Sequence, residues 1–335
     1  MENGENRTLT VEQYRQIAVA IDKQLSRYIV GQRELVHDLL VTLLAGGNAL
    51  LEGVPGLGKT LLIQTLSETL ACSYARIQFT PDLMPADILG TMILTTQEDG
   101  QRGFKFEKGP IFANLVLADE INRAAPRTQS ALLEAMQEGQ VTISGQTYDL
   151  PKPFFVLATQ NPIEMEGTYP LPEAQIDRFL YKLYVPYPNE NDLVEIARRT
   201  TGASLPVVER VSSGKVLEAM QKLTRTVPVA EPVFRYAARL VGATQPDQPE
   251  ALPSVKRNLR VGASPRGLQA LIWGAKAEAL LDNRKAVSIE DVRKVIYPAL
   301  RHRLILNFEA QAEGVNPDTI LREILKNVKL PVVKD

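Results

Sequence analysis

The chain has 335 residues, of which 44% are apolar and 23% charged, and its formal net charge is −1. The near-neutral charge gives no global signal for nucleic acid or an anionic membrane. The single cysteine excludes an internal disulfide framework, the two histidines leave no Cys/His zinc cluster, and the polar N-terminus without a membrane-length apolar run predicts a cytoplasmic protein without membrane insertion.

Two helices are predicted at the start of the chain. Thr10 and Gln13 form a capping-box pattern, and apolar residues follow at helical spacing as far as Leu25. A second helix is expected from about Gln32 to a stop at Gly46 and Gly47.

A phosphate-binding loop is predicted after the second helix. The segment GVPGLGKT at 53–60 matches G-x-x-x-x-G-K-[ST] at every defined position and lies between an apolar strand pattern and a helical pattern. Glycines let backbone N–H groups surround a phosphate, and the following helix N-terminus adds partial positive charge. Lys59 is expected to reach the β- and γ-phosphates of a nucleoside triphosphate, and Thr60 to bind Mg²⁺. The predicted nucleotide-binding residues here are Gly53, Val54, Pro55, Gly56, Leu57, Gly58, Lys59, Thr60 and Leu61.

Short apolar runs alternate with helical patterns up to about residue 185. This alternation predicts an α/β core with a parallel five-stranded sheet and helices on both faces. The predicted strands are 49–51, 75–79, 115–118, 154–158 and 180–185. Two predicted hairpins interrupt the pattern, one from 92–96 and 103–107 around a turn at 97–102, and one from 141–143 and 147–150.

Polar side chains are predicted at the ends of two core strands. The third strand ends in Asp119 and Glu120, at the sheet edge expected to carry the phosphate loop. We predict that Asp119 holds the Mg²⁺ coordination shell and that Glu120 orients and polarises the attacking water. Asn161, at the end of the fourth strand, is placed to position the same water, although an Asn-Pro turn explains this segment equally well.

The pattern changes after Pro188, where strand-like runs disappear. We predict a nucleotide-binding core at 1–188 and a smaller all-helical lid at 189–335. Helix starts are predicted at Ser264, Ser288 and Asn316, and the proline-containing stretch 245–260 is expected to be a loop.

Two arginines are further candidates. Arg178 lies in a predicted short helix before the fifth strand, far from the chain's own phosphate loop, where it can face a neighbouring subunit's nucleotide. An arginine supplied in trans is worth about 10³–10⁵ in rate, whereas a surface pair with Asp177 contributes little. Arg266 opens a lid helix and is a candidate contact for the γ-phosphate, with a solvated first-turn arginine as the alternative.

Four further motifs carry a family resemblance. They are DEINRA at 119–124, SALLEAM at 130–136, ATQNP at 158–162 and LPEAQIDRF at 171–179. In this order they resemble the MoxR branch of the AAA+ ATPases, and the resemblance covers about residues 15–300. It implies that 53–60 is Walker A, 119–120 is Walker B, Asn161 is sensor 1, Arg178 is the arginine finger and Arg266 is sensor 2.

The resemblance also implies an assembly and a class of activity. It implies a homo-oligomeric ring, usually a hexamer, with ATP and Mg²⁺ bound between subunits and with Val30 and Gly31 near the adenine. The two hairpins are similar to the family inserts that line or cap a pore. Family members act as chaperone-like motors, commonly with a von Willebrand factor A domain partner. For Arg123, an interface role and a structural ion pair both stay open.

Three other functions are alternatives to a protein-remodelling motor. A metal chelatase motor subunit shares the core and the inserts. A DNA-dependent motor needs a positive groove, which the near-neutral charge disfavours, although Arg102, Lys105 and Lys108 cluster at the first hairpin. A low-turnover, nucleotide-gated scaffold would have no use for water-positioning residues such as Glu120.

Overall fold

The computed structural model describes residues 9–54, 56–96, 102–161, 167–202 and 207–331. The strands in chain order are β1 (Ala49–Glu52), β2 (Tyr74–Gln78), β3 (Gly90–Thr96), β4 (Arg102–Lys108), β5 (Leu115–Asp119), β6 (Gln140–Ile143), β7 (Gln146–Asp149), β8 (Phe155–Gln160), β9 (Tyr181–Tyr184), β10 (Leu259–Val261) and β11 (Ile305–Leu306). The helices are α1 (Val11–Tyr28), α2 (Arg33–Leu44), α3 (Lys59–Thr69), α4 (Pro85–Leu89), α5 (Pro126–Glu138), α6 (Glu173–Ile176), α7 (Glu190–Thr200), α8 (Gly214–Thr226), α9 (Glu231–Gly242), α10 (Pro253–Asn258), α11 (Pro265–Leu281), α12 (Ile289–Lys294), α13 (Ile296–Leu300), α14 (Phe308–Ala312) and α15 (Pro317–Asn327), with 3₁₀ turns at Ile121–Arg123 and Arg301–Arg303.

A parallel five-stranded sheet in the order β2-β5-β8-β1-β9 forms the core, as predicted. Successive strand residues belong to different apolar clusters. Leu50 and Val116 pack with α4 and α5 on one face, whereas Ala49 and Leu115 pack with α1, α2 and α3 on the other. Because both faces are covered, the strands are apolar throughout rather than alternating with polar residues.

Both predicted hairpins are present. β3 pairs antiparallel with β4, and β6 pairs with β7. Residues 97–101 of the turn predicted at 97–102 lie outside the described residues, and Arg102 is the first residue of β4. The Phe106 ring of the first hairpin stacks on Tyr148 of the second, with ring centroids 4.2 Å apart, so the two hairpins pack against each other.

The C-terminal part is helical, as predicted, apart from the short antiparallel pair β10–β11. Ser264, Ser288 and Asn316 each cap a helix with their side chains, which confirms the three predicted starts. The prediction of a loop over 245–260 was wrong in its second half, where α10 begins at Pro253. Proline is well suited to the first turn of a helix because its φ is already helical and it lacks an N–H that would stay unpaired.

Side chains of the helical part contact the first two helices directly. Tyr14 Oη lies 3.0 Å from Thr224 Oγ1, and His37 Nε2 lies 2.6 Å from the buried carboxylate of Glu278. Near the predicted boundary, Asn189 caps α7 by accepting a hydrogen bond from Asp192 N. The division into 1–188 and 189–335 stays a prediction.

In the described ranges, no helix is both long and apolar enough to cross a membrane.

Candidate active site

The carboxyl ends of β5, β8 and β1 bring three of the predicted site segments together. β8 lies between the other two strands, with Glu52 paired to Gln160 and Ala118 paired to Ala158. Asn161 directly follows β8 and is 7% exposed. The phosphate loop and the pair Asp119-Glu120 are therefore separated by one strand rather than adjacent, and Asn161 stands between them.

The phosphate loop encloses open space. Gly56 and Gly58 have φ angles of +82° and +77°, and a Cβ built on either would meet no atom of the described residues within 4 Å. Residues in this conformation turn their N–H groups toward a common centre, which suits an anion. Gly58 is the N-cap of α3 and no side chain caps the helix, so its first N–H groups face the loop with no side-chain acceptor in the described structure. These features fit a phosphate; Pro55 lies outside the described residues.

Lys59 supplies a cation at the phosphate loop. Its Nζ donates a hydrogen bond to the carbonyl oxygen of Gly53. Burial lowers the Lys59 pKa, and the carboxylates of Asp119, Glu120 and Glu52 oppose that shift. A half-buried ammonium group held against the loop backbone is placed to bind phosphate oxygens.

The candidate magnesium ligands fit that ion. Thr60 lies in the first turn of α3, and Asp119 ends β5 at the same edge of the sheet. Mg²⁺ is usually bound through one or two protein oxygens, with substrate phosphates and waters completing the shell. A hydroxyl and a carboxylate beside a phosphate loop match this requirement.

Asp119 is held by two side chains that the sequence analysis missed. Thr159 Oγ1 donates to Asp119 Oδ1 at 2.7 Å, and Arg76 Nη2 donates to Oδ2 at 2.7 Å. The same Thr159 hydroxyl accepts from Glu120 N at 2.8 Å. These partners fix the carboxylate across three neighbouring strands, which only the strand order reveals.

Glu120 has a strained backbone and two further side-chain partners. Its φ of +58° is left-handed, a conformation that costs a non-glycine residue about 1–3 kcal/mol and is concentrated at functional sites. Its Oε2 accepts hydrogen bonds from Gln78 Nε2 at 2.9 Å and from Arg123 Nη1 at 2.8 Å. The structural ion pair considered for Arg123 is thus present, and Gln78 is a further residue missed from the sequence.

A cavity of about 390 Å³ joins the predicted adenine segment to the phosphate loop. Val30, Gly58 and Leu61 line it on one side, and α7 closes it with Leu193 and Ile196. A larger cavity of about 810 Å³ is lined by both Val30 and Gly31, but by none of the described phosphate-loop residues. The smaller cavity is the better candidate for a base, because it opens directly onto the loop. The contribution of α7 had no motif to reveal it.

Arg178 and Arg266 lie together in a different place. Both line a cleft of about 340 Å³ that also includes Gly47 and Asn48, which precede β1. β1 runs from this cleft to the phosphate loop. The two arginines therefore lie at the amino ends of the strands (the amino edge), whereas Lys59 lies at the carboxyl ends (the carboxyl edge). Arg178 follows α6 rather than lying inside it, and its Nη1 donates to the carbonyl oxygen of Leu133 at 3.3 Å.

The arginine cleft is strongly cationic. Arg178, Arg225, Arg266 and Arg303 line it, and Asp177 is the one carboxylate among its described lining residues. A concave surface with this composition is complementary to a polyphosphate.

Comparison with known proteins identifies relatives along most of the chain. Residues 48–181 match the family model "ATPase family associated with various cellular activities (AAA)", and residues 254–324 match the AAA lid domain. Chaperone MoxR1 of Mycobacterium tuberculosis is 44% identical over 92% of this chain and 81% of its own length. Protein MoxR of Methylorubrum extorquens is 30% identical over 95% of this chain and 96% of its own.

A solved structure agrees with these relatives. The crystal structure of a candidate ATPase from Cytophaga hutchinsonii superposes with a TM-score of 0.89, is 42% identical, and covers 96% of this chain and 97% of its own. Membership of an ATPase family implies that the chain uses a nucleotide together with Mg²⁺ and that it hydrolyses the nucleotide. From the motifs, the sheet and these relatives together, the chain belongs to the MoxR family of AAA+ ATPases.

Proposed function

We propose that the chain is a cytoplasmic, ring-forming motor that hydrolyses ATP to remodel or activate partner proteins, with each ATP site completed by a neighbouring copy. The observation that carries this proposal is that the arginine cleft and the phosphate loop lie at opposite ends of β1. Arg178 and Arg266 therefore do not line their own subunit's phosphate loop, but a head-to-tail neighbour would bring them to it. Head-to-tail contacts that close give rings, and the family resemblance favours six subunits.

Each residue at the carboxyl edge has a role in this proposal. Lys59 and the N-terminus of α3 bind the triphosphate, and the α7 cavity takes the base. Thr60 and Asp119 hold Mg²⁺, which supplies charge neutralisation at the phosphates. Glu120 orients the attacking water and accepts its proton, and Asn161 positions that water from the intervening strand.

Arg178 and Arg266 of the neighbouring copy would act on the same phosphates from outside. As charge develops on the transferred phosphoryl oxygens, a guanidinium group held against them lowers the barrier. Hydrolysis is then coupled to assembly, because an isolated chain lacks these cations at its own site.

Protein remodelling is favoured by the first hairpin. Leu94 and Phe104 form a directly opposed pair on β3 and β4, and they are 57% and 72% exposed. An exposed apolar pair on a two-stranded ribbon suits transient contact with an unfolded or apolar segment. The relative named as a chaperone supports this function over a metal chelatase subunit, and a von Willebrand factor A domain protein is the partner we propose.

The test is ATP turnover as a function of protein concentration, for the parent chain and Arg178→Ala. Specific activity should rise with concentration in the parent and fall by about 10³–10⁵ in the variant. Mixing Arg178→Ala with Glu120→Gln should restore part of the activity, since each supplies the half that the other lacks. Arg235→Ala, which changes an exposed arginine paired with Glu231 one helical turn away, is the matched control. Turnover that is independent of concentration and indifferent to Arg178 would contradict a shared site.

A further inference from the structure

We propose that Asp177, Ser264 and Arg303 form a latch that holds Arg178 and Arg266 as one rigid unit, so that both reach the neighbour's triphosphate together. This inference rests on the proposed function. It assigns positioning roles to three residues that touch no nucleotide themselves.

Arg303 brackets Arg178 through the backbone. Its Nη2 donates to the carbonyl oxygens of Asp177 at 3.0 Å and Phe179 at 2.7 Å, and its Nη1 donates to that of Leu180 at 3.1 Å. The side chain of Arg303 is only 3% exposed. One buried guanidinium group therefore fixes the carbonyls immediately before and after Arg178. This segment follows α6, and its own N–H groups form i→i+3 turn bonds, from Arg178 N to the carbonyl oxygen of Gln175 and from Phe179 N to that of Ile176.

The same contacts continue to Arg266. Arg303 Nε donates to Asp177 Oδ1 at 2.7 Å, and Ser264 Oγ donates to Asp177 Oδ2 at 2.8 Å. Ser264 Oγ in turn accepts from the backbone N–H of Arg266 at 3.1 Å, as the N-cap of α11. An unbroken chain of hydrogen bonds thus runs from the backbone around Arg178 to the backbone of Arg266, and it joins parts of the sequence 87 and 126 residues apart.

The carboxylate of Asp177 offsets the repulsion among the arginines of the cleft. Four arginines line the cleft and repel one another, and Asp177 is the one carboxylate among the described lining residues. A buried ion pair adds little to stability, because apolar residues of similar volume often stabilise a fold equally well. What the ion pair can provide is one specific geometry. Positioning matters here because a misplacement of about 1 Å at a reacting group can cost 10²-fold in rate.

The test uses variants that loosen the latch without removing Arg303, whose loss would leave Asp177 half-buried and unpaired. Asp177→Asn removes the charge, Ser264→Ala removes the link to α11, and Ser264→Thr keeps a hydroxyl that can both donate and accept. Asp177→Asn and Ser264→Ala should lower kcat by about 10- to 10²-fold with the KM for ATP unchanged, because their own phosphate loop is intact. Ser264→Thr should retain most of the parent activity.

Asp318→Asn is the matched control. Asp318 forms a similarly buried pair with Arg301, at 2.8 Å and on the same 3₁₀ turn, and Arg301 also donates to the carbonyl oxygen of Lys182. This pair ties the turn to β9 but touches neither arginine of the cleft. Its variant should keep the parent kcat, even if its melting temperature falls as far as that of Asp177→Asn. An equal loss of kcat in both variants would mean a structural role for the latch and would overturn the inference.

Subunit mixing separates positioning from general damage. Asp177→Asn mixed with Glu120→Gln should regain turnover, because the partner supplies an intact arginine cleft, whereas Asp177→Asn mixed with Arg178→Ala should not. Parent-like kcat in Asp177→Asn while Arg178→Ala is inactive would overturn the latch alone. Full activity in Arg178→Ala itself would instead overturn the shared site on which the latch depends.

Discussion

The two edges of the central sheet differ in how their charged groups are assembled. At the carboxyl edge, Lys59 lies beside Asp119 and Glu120: Lys59 begins α3, Asp119 ends β5, and Glu120 directly follows β5. At the amino edge, four arginines share one cleft, and one of them, Arg303, donates a long-range hydrogen bond to Asp177. The first edge carries the residues proposed for binding and hydrolysis. The second carries cations, and Asp177, the one carboxylate among the described lining residues, is paired with Arg303.

Under the proposed function, two incomplete sites on neighbouring copies make one complete site. A surface that binds phosphates and activates water on one edge is complementary to a cationic cleft on the other. When complementary surfaces lie on opposite sides of a subunit, association is head-to-tail. The comparison therefore makes different predictions for variants at the two edges.

After Arg178→Ala, the largest effect is expected at the carboxyl edge, for Glu120→Gln. Loss of the general base should lower turnover by about 10²- to 10⁴-fold, whereas ATP binding should persist because the phosphate loop is unchanged. Single-turnover hydrolysis and binding of labelled ATP measure the two separately. Glu309→Gln, an exposed carboxylate on α14, is the control of identical chemistry. Unchanged turnover in Glu120→Gln would remove this residue from the proposed mechanism.

Arg266→Ala tests whether the amino edge is separate from the chain's own nucleotide. Loss of a positioned donor to developing charge typically costs about 10²- to 10³-fold in rate. At concentrations where the chain is monomeric, ATP affinity should equal that of the parent, because Arg266 lies at the far edge of the sheet. A weaker affinity in the monomer would mean that Arg266 contacts its own triphosphate, and the distinction between the two edges would fail.

Lys59→Ala makes the complementary change at the carboxyl edge. A hydrogen bond to a charged group contributes about 1.5–3 kcal/mol, so the variant should bind ATP about 10- to 10²-fold more weakly, in the monomer as well as in the assembly. Titration of a fluorescent ATP analogue at low protein concentration checks this. Lys285→Ala, on the exposed turn before α12, provides the charge-matched control.

Local sequence patterns predicted most of the carboxyl edge. The strand at 115–118 was predicted because a strand covered on both faces is a continuous apolar run, and the loop at 53–60 because its spacing is set by the phosphate it binds. Gln78 and Thr159 were missed because their roles depend on the order of β2, β5 and β8, which no single segment encodes.

The amino edge was only partly predictable for the same reason. Arg178 and Arg266 were identified as candidates from the sequence, but the cleft they share is also lined by Arg303, which lies in no motif and contacts Asp177 from 126 residues away. The pairing of Val261 with Ile305 is similarly non-local. The three prolines at 245–260 predicted a loop, and only the structure shows that Pro253 occupies the first turn of a helix.

A smaller effect, on the free energy of unfolding, is expected from His302, which contacts the backbone at the amino edge. Its Nε2 donates to the carbonyl oxygen of Phe179 at 3.2 Å, and no hydrogen-bond partner for its buried Nδ1 occurs among the described residues. Burial, with Arg303 nearby, lowers the pKa of His302 well below its ordinary value of 6.5. Below about pH 6.5 the unfolded chain therefore takes up a proton that the folded chain does not. The free energy of unfolding then decreases as the pH is lowered, by up to about 1.4 kcal/mol per pH unit.

His302→Gln keeps a donor for Phe179 but cannot titrate, so its free energy of unfolding should lose this slope. Urea unfolding of the variant and the parent between about pH 7.5 and 5.5 measures the difference, which should grow in favour of the variant as the pH falls. His37 gives the opposite sign, because its hydrogen bond to Glu278 raises its pKa. The stability it contributes is present below about pH 6.5 and is lost as the pH rises through its folded pKa, so His37→Gln should lose relative stability toward acid. The stability difference from the parent could instead change with pH in the same direction for His302→Gln and His37→Gln. That result would show that His302 is protonated in the folded chain, and that the amino edge is open to water rather than closed around its arginines.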